Sequence, residues 1–214
     1  MADNPFSDAQ SLLDSVIGLT EQRSQRSLES CLIDTMCELT GALRVALYAL
    51  SPDADDKVLT LSKYAHAKGQ SRDFDASSGI LPEIILQDAA QGFRLCLENS
   101  DVVSVPQRGD KGTRILYPVI GAENRITGLL AVDYLILTAS NHRLTGAFLR
   151  IYQNYQALLN ENQRDRLTGL LNRRTFDDQI SQIMEAQRTN NAAPKDGFSH
   201  FMAILDIDHF KSIN

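Results

Sequence analysis

The sequence has few cysteines, no long apolar run and no basic run, and each shortage excludes a class of protein. The three cysteines, Cys31, Cys37 and Cys96, include no CxxC pair, so we expect reduced thiols and no disulfide framework. No apolar stretch approaches the roughly 18 residues that a membrane-spanning helix needs. The N-terminus is acidic and has neither the basic nor the apolar region of a signal peptide. We therefore expect a cytoplasmic protein without a membrane span.

The charge balance also argues against a protein that binds nucleic acid. The chain carries 27 acidic and 21 basic residues, a formal net charge of −6, and a negative surface repels phosphate backbones. The composition, with 43% hydrophobic residues, is that of an ordinary globular protein. Its 214 residues correspond to about one and a half domains of typical size.

Hydrophobic periodicity in the first half predicts two helices and a hairpin. Apolar residues three and four apart predict a helix over 11–40, followed by Gly41 as the residue after its end. A short apolar run at 45–50 and an alternating run at 57–64, separated by turn residues, predict an antiparallel hairpin. Residues 81–98 read as a second helix with a proline in its first turn.

The second half of the chain begins with the two clearest strands, at 114–120 and 126–135. They are joined by a short loop, and the small Gly128 would let another backbone approach closely. A long helix is predicted over 140–164. After this helix, the sequence predicts a loop, a helix over about 173–188 and a final apolar strand over 201–207.

Hairpins alternating with helices indicate an α+β fold with a central antiparallel sheet flanked by helices. The segment ILYPVI at 115–120, followed by ITGLLAV at 126–132, resembles the paired strands of GAF domains, which are sensory modules. PAS domains share the general plan and are the second candidate. The expected organisation is a helical segment at 1–40, a GAF-like domain at 41–139, a linker helix at 140–164 and a separate domain start, of α/β type, at 165–214.

The linker helix carries an apolar stripe with alternating spacings of three and four residues. Such a stripe, ending in an asparagine, is typical of a parallel two-stranded coiled coil. This interpretation predicts a homodimer. The alternative is that the stripe packs on the chain's own sheet, because two heptads are fewer than a firm prediction needs. The stripe consists of Leu144, Phe148, Ile151, Tyr155, Leu158 and Asn162.

Residues 165–176 contain a turn followed by a helix start. Asp165 and Thr168 have side-chain oxygens that accept hydrogen bonds from nearby backbone N–H groups in tight turns. Gly169 permits a backbone angle that other residues avoid. Asn172 is well placed to cap the next helix.

The last strand ends in two carboxylates, Asp206 and Asp208, with Lys211 close behind. Carboxylates at the end of a buried strand are suitable ligands for Mg²⁺, and a lysine there can meet phosphate oxygens. The equally open alternative is that both aspartates are solvated residues at a strand end.

Both segments resemble the opening of a GGDEF domain, the catalytic domain of diguanylate cyclases. The patterns D-x-L-T-G-L-x-N-R-R-x-F and D-x-D-x-F-K-x-x-N are both complete. The resemblance implies synthesis of cyclic di-GMP from two GTP molecules, with Mg²⁺ or Mn²⁺. It also implies two metal ligands, the Asp206 carboxylate and the Ile207 carbonyl, and four substrate-binding residues: His209, Phe210, Lys211 and Asn214.

One part of the family pattern is missing. The Gly-Gly-Asp/Glu-Glu-Phe hairpin, which the family places after these motifs, does not occur in the sequence. We therefore expect a chain that holds only the N-terminal third of a GGDEF domain and has no cyclase activity itself. The expected function is the sensory part of a diguanylate cyclase. The alternative is a non-catalytic GAF or PAS module that binds a small molecule or dimerises.

Four residues are candidates for the pocket of a sensory ligand: Arg94, Arg114, Tyr117 and Asp133. His66 and His142 stand alone, and lone histidines are more often surface residues than ligands of a cofactor. We expect an unidentified small-molecule effector.

Overall fold

A six-stranded antiparallel sheet organises the N-terminal part of the chain. The computed structural model describes residues 5–51, 58–66, 83–85, 91–107, 112–121, 124–165, 167–173, 175–177, 180–181 and 184. The chain divides into two units, Met1–Asn162 and Gln163–Asn214. The predicted strand over 201–207, and with it the whole second GGDEF-like motif, lies outside the described residues.

The first unit alternates helices and strands in an α+β order. Its elements are α1 (Pro5–Thr20), α2 (Gln25–Thr40), β1 (Arg44–Leu50), β2 (Val58–His66), β3 (Glu83–Ile85), α3 (Gln91–Asn99), β4 (Val103–Pro106), β5 (Thr113–Ile120), β6 (Ile126–Tyr134) and α4 (Ala139–Gln163).

The strand order in the sheet is β3-β2-β1-β6-β5-β4. The predicted hairpins β1–β2 and β5–β6 are confirmed as antiparallel pairs, and β6 also pairs with β1. Gly128 allows β6 to lie close to β1, because a Cβ at this position would lie 2.2 Å from the carbonyl oxygen of Tyr48. Pro118 is tolerated in β5 because β4 pairs only with residues 113–116, so no ladder bond to that strand is lost.

Each face of the sheet buries its own apolar cluster. Alternate residues of β1, β5 and β6 pack under α1, α2 and α4, including Val45, Tyr117 and Tyr134. We call this side the helical face. The intervening residues, including Tyr48 and Leu129, pack with Phe93 of α3, and we call this side the α3 face. Because the side chains of a strand alternate, neighbouring residues such as those at 133 and 134 contact opposite sides.

The single helix predicted over 11–40 is wrong, because α1 ends at Thr20 and α2 begins at Gln25. Ser24 has an extended backbone and its hydroxyl accepts a hydrogen bond from the N–H of Ser27 at 3.2 Å. This is an N-cap, and it starts a new helix. The predicted end of α2 is confirmed, since Gly41 adopts φ 64° in the left-handed region.

The helix predicted over 81–98 is also only partly correct. Residues Glu83–Ile85 form β3, which pairs with residues 58–60 of β2, and α3 begins at Gln91. The edge strand β4 was not predicted. The long helix predicted over 140–164 is confirmed within one residue at each end as α4. No helix in the described part of the chain has the length and apolar character needed to cross a membrane.

Candidate functional site

Three charged residues lie side by side across the central strands on the α3 face. Asp133 of β6 is in register with Arg44 of β1 on one side and with Arg114 of β5 on the other. We call these three residues the Arg–Asp–Arg cluster. The Nε and Nη2 atoms of Arg114 lie 2.6 and 2.9 Å from Oδ1 and Oδ2 of Asp133. The Nε and Nη2 atoms of Arg44 both lie 2.8 Å from Oδ2 of Asp133.

The positive and negative charges of this cluster do not balance. Burial alone would raise the pKa of Asp133, but the hydrogen bonds and charges of Arg114 and Arg44 outweigh it and lower that pKa. The hydrogen bond to Asp133 raises the pKa of Arg114 further. The carboxylate is therefore ionised at neutral pH. Two guanidinium groups share this one carboxylate, so the cluster carries a net charge of +1.

An aromatic residue stands beside the cluster. Burial raises the pKa of Tyr48, and the charges of Arg114 and Arg44 act to lower it, which places the phenol within electrostatic reach of both arginines. The Tyr48 ring packs edge-on against Phe93 of α3, with ring centroids 6.5 Å apart. The site therefore combines charged groups with a buried aromatic wall.

The structure brings together only two of the four predicted pocket residues. Arg114 and Asp133 form the ion pair, whereas Tyr117 lies in the core of the helical face and Arg94 is exposed on α3. No contact between Arg94 and the cluster is found among the described residues. Sequence reasoning missed Arg44, because only the register of β1 against β6 places it beside Asp133.

Two tyrosines on the helical face connect the sheet to the start of α4. The Tyr117 hydroxyl lies 2.8 Å from Nδ1 of His142, and the two rings stack with centroids 5.6 Å apart. The Tyr134 hydroxyl lies 2.5 Å from Oγ1 of Thr145, and both residues are fully buried. Thr145 in turn donates to the carbonyl of Asn141 at 2.9 Å. His142, expected to be a surface residue, is thus half-buried and bonded to the sheet.

The predicted stripe on α4 divides into a packed part and an exposed part. Phe148 is 3% exposed in the chain's own core, and Ile151 and Tyr155 pack partly against the same core. The Tyr155 hydroxyl also donates to the carbonyl of Gln22 at 3.2 Å. Leu158, by contrast, is 54% exposed. Phe148 therefore follows the self-packing interpretation and is not available to a second chain.

The remaining stripe residues are more accessible. Leu144 is half-buried, and Asn162 is exposed. On α1, Leu13 and Ile17 are 58% and 52% exposed. They lie four residues apart and therefore share one side of that helix.

In the second unit, the turn that follows α4 matches the sequence prediction. The Oδ1 atom of Asp165 accepts hydrogen bonds from the N–H of Leu167 at 3.1 Å and from the N–H and hydroxyl of Thr168, both at 2.9 Å. These bonds lower the pKa of Asp165, those from Thr168 most. Gly169 has φ 70°, and Oδ1 of Asn172 caps the following helix by accepting from the N–H of Thr175 at 3.0 Å.

The predicted metal and substrate residues lie outside the described part of the chain: Asp206, Ile207, His209, Phe210, Lys211 and Asn214. Within the described ranges, no group of three or more His, Cys, Asp or Glu side chains is arranged to hold a metal ion.

The three cysteines, Cys31, Cys37 and Cys96, are free thiols in this structure. Burial raises the pKa of Cys37 and of Cys96 to about 12. Both side chains are therefore protonated and weak nucleophiles near neutral pH.

Comparison with known proteins supports the N-terminal domain and the C-terminal segment separately. Residues 162–214 match the family model described as diguanylate cyclase, GGDEF domain. No curated protein matches the sequence. Solved structures with the same fold share little sequence identity, so they show the fold alone.

Three of these structures illustrate the match. A protein from Burkholderia vietnamiensis described as a GAF sensor is 12% identical with a TM-score of 0.53, covering 76% of this chain and 96% of that one. The GAF domain of an Acinetobacter phosphoenolpyruvate-protein phosphotransferase is 11% identical with a TM-score of 0.52, covering 73% and 95%. A free methionine-R-sulfoxide reductase from Neisseria meningitidis is 13% identical with a TM-score of 0.55, covering 76% and 95%.

Both resemblances seen in the sequence are thus confirmed, and GAF is favoured over PAS. The chain combines an N-terminal α+β domain of GAF-like fold with a C-terminal segment that matches the diguanylate cyclase GGDEF family.

Proposed function

We propose that residues 41–139 form a sensory domain that regulates cyclic di-GMP synthesis through the linker helix at 140–164. The observation that carries this proposal is the pair of contacts, the part-buried Tyr117 with His142 and the buried Tyr134 with Thr145, that connect β5 and β6 to the start of α4. The same helix leads directly into the segment that matches the GGDEF family. A shift of these two strands would therefore be transmitted to the base of the catalytic domain.

The catalytic part of the proposal rests on the family match. In a protein with a complete GGDEF domain, Asp206 and the Ile207 carbonyl would hold Mg²⁺ or Mn²⁺. The metal would stabilise charge on the GTP phosphates. His209, Phe210, Lys211 and Asn214 would bind GTP. The 214-residue chain has no Gly-Gly-Asp/Glu-Glu-Phe segment, so we expect no product from it with GTP and Mg²⁺.

The proposed control requires two copies of the chain. A linker helix can set the distance between two catalytic domains only if it pairs with its counterpart, and proximity dominates a reaction between two bound substrates. We propose a homodimer through the accessible part of the stripe, Leu144 and Leu158, with Asn162 at its end. The exposed Leu13 and Ile17 of α1 would extend the apolar contact.

A fusion of residues 1–164 to a complete diguanylate cyclase domain tests the proposal. Breaking both contacts by Tyr117→Phe together with Thr145→Val is expected to change the rate of cyclic di-GMP formation about tenfold, because a coupling of roughly 1.4 kcal/mol is typical for linked sites. Arg23→Gln, an exposed change between α1 and α2, is the control. An unchanged rate in the double variant would favour the second candidate, a module that binds or dimerises without regulating catalysis.

A further inference from the structure

We propose that Arg44 and Arg114, with Tyr48 beside them, form a binding site for a small organic anion that carries a carboxylate or a phosphate. The proposal rests on the sensory function proposed above and deepens it, because it names the chemical class of the effector. It is carried by the charge, the hydrogen-bond geometry and the surroundings of the Arg–Asp–Arg cluster on the α3 face.

The charge of the cluster is unbalanced. Arg44 and Arg114 both pair with Asp133, and in the part of the chain that the structure describes no second carboxylate is found beside either arginine. The side chain of Asp133 is only 8% exposed, so the charges around this carboxylate lie where water screens them poorly. A surplus positive charge in such a place is favourable for an incoming anion.

The two guanidinium groups are also oriented to accept a ligand. Each uses its Nε and Nη2 atoms for Asp133. The Nη1 group of a guanidinium lies on the edge directed away from a partner held in this way. The side chains of Arg44 and Arg114 are 32% and 25% exposed. Asp133 therefore fixes both arginines, and no described residue is found to bond the remaining planar N–H edge of either one. Such an edge has the geometry that carboxylate and phosphate groups recognise.

The surroundings favour an anion with an apolar body over a bare inorganic ion. Tyr48 lies within electrostatic reach of both arginines and is buried against Phe93 in the apolar cluster of the α3 face. Since burial raises the pKa of Tyr48, its hydroxyl stays protonated at neutral pH. Ligand sites commonly pair such an apolar wall with a few convergent polar groups that fix orientation.

The test uses the 214-residue chain and observes the arginines directly. The ¹⁵Nε–H signals of Arg44 and Arg114 are followed by NMR during separate titrations with sodium phosphate and sodium acetate, with sodium chloride at equal ionic strength as reference. We expect at least one anion to give saturable shifts of both signals, with a dissociation constant on the order of 1–10 mM, as for a small ligand without its apolar part. The stronger of the two titrations identifies the head group.

Two variants make the result specific. Arg44→Lys keeps the positive charge but loses the planar edge, and we expect it to weaken binding at least about tenfold. Arg23→Gln, exposed between α1 and α2, should leave binding unchanged. Circular dichroism confirms that each variant is folded before titration.

Shifts that do not saturate, or that persist unchanged in Arg44→Lys, would overturn the anion site. That outcome is separate from the fusion assay described above. Regulation of the fused cyclase by the contacts to α4 would then stand while the ligand class is rejected. If the fusion shows no regulation but saturable binding is found, the anion site stands and the sensory role fails.

Discussion

Asp133 and Tyr134 are neighbours in β6, yet they form their contacts on opposite faces of the sheet. The Asp133 carboxylate binds Arg44 and Arg114 on the α3 face, and the Tyr134 hydroxyl lies 2.5 Å from Oγ1 of Thr145 on the helical face. Two consecutive residues therefore connect the candidate ligand site to the linker helix. A displacement of β6 at the Arg–Asp–Arg cluster would therefore also displace the residue that contacts α4.

Asp133→Asn is expected to lower the free energy of unfolding by about 3 kcal/mol at pH 7. The low end of the range for a broken buried ion pair applies, because both arginines are partly exposed and can recover hydration. Urea denaturation gives the difference. Asp14→Asn, an exposed change on α1, is the matched control and should cost less than about 0.5 kcal/mol.

The effect of Asp133→Asn should depend on pH in a defined direction. The pKa of Asp133 is lowered in the folded chain, so its ion pairs stabilise the fold above the ordinary carboxyl pKa of about 3.9. This stabilisation is lost as the pH falls from there through the lowered folded pKa. The gap between wild type and variant should be constant from neutral pH to about pH 5 and shrink below about pH 4. A gap that grows on acidification would contradict the assignment.

The Tyr134–Thr145 contact should behave as one unit in a double-mutant cycle. Because the Thr145 hydroxyl donates to Asn141, Tyr134 acts as the donor to Thr145 and each hydroxyl depends on the other. We expect Tyr134→Phe and Thr145→Val each to cost about 1–1.5 kcal/mol of unfolding free energy, and the double variant to cost clearly less than their sum.

Tyr155→Phe is the matched control for this cycle. Its hydroxyl makes a single 3.2 Å bond to Gln22 and is only partly buried, so it should cost roughly half as much as Tyr134→Phe. Strict additivity of Tyr134→Phe and Thr145→Val in urea denaturation would show that the two hydroxyls are independent.

Two glycine-to-alanine changes should have opposite effects. A Cβ at Gly128 would lie 2.2 Å from the Tyr48 carbonyl oxygen, so Gly128→Ala must push β1 and β6 apart and should cost about 2 kcal/mol or more. At Gly146 in α4 a Cβ meets nothing within 4 Å in the described structure. Gly146→Ala should therefore stabilise the helix by roughly 0.5–1 kcal/mol. Thermal unfolding measures both, and a stabilising Gly128→Ala would refute the tight packing of the two strands.

The strands and the linker helix could be predicted because their apolar patterns are local. The break between α1 and α2 was missed, since apolar residues recur at helical spacing on both sides of it and only the cap at Ser24 marks the new start. The short β3 was missed because its hydrogen bonds to β2 come from a distant part of the chain.

The candidate site was predicted less well than the fold, for a similar reason. Arg114 and Asp133 were identified as candidates, but Arg44 lies 89 positions from Asp133 and only the β1–β6 register brings it there. Tyr117 was assigned to the same pocket because the sequence does not reveal which face of β5 meets the ligand side. Register and face are set by the packing of the whole sheet.

Homodimer formation should depend on Leu158. This side chain is 54% exposed on α4, and Leu158→Asp should convert the proposed dimer to a monomer in multi-angle light scattering without unfolding the chain. Leu167→Asp, which changes a leucine that is 93% exposed outside the stripe, should leave the molecular mass unchanged. A Leu158→Asp protein that keeps the dimer mass would place the interface elsewhere.

The central claim is that α4, paired with its counterpart, transmits the state of the proposed sensory domain to the catalytic domain. Insertions that rotate the stripe of α4 relative to the sensory domain test this claim. In the fusion to a complete diguanylate cyclase domain, a seven-residue insertion after Asn160 nearly restores the position of the stripe, whereas a two-residue insertion rotates it by roughly 200° at 3.6 residues per turn. The account predicts cyclic di-GMP formation close to the parent rate with seven residues, and a rate changed about tenfold with two, for a coupling of roughly 1.4 kcal/mol. Equal rates in the two insertion variants would contradict transmission through the helix.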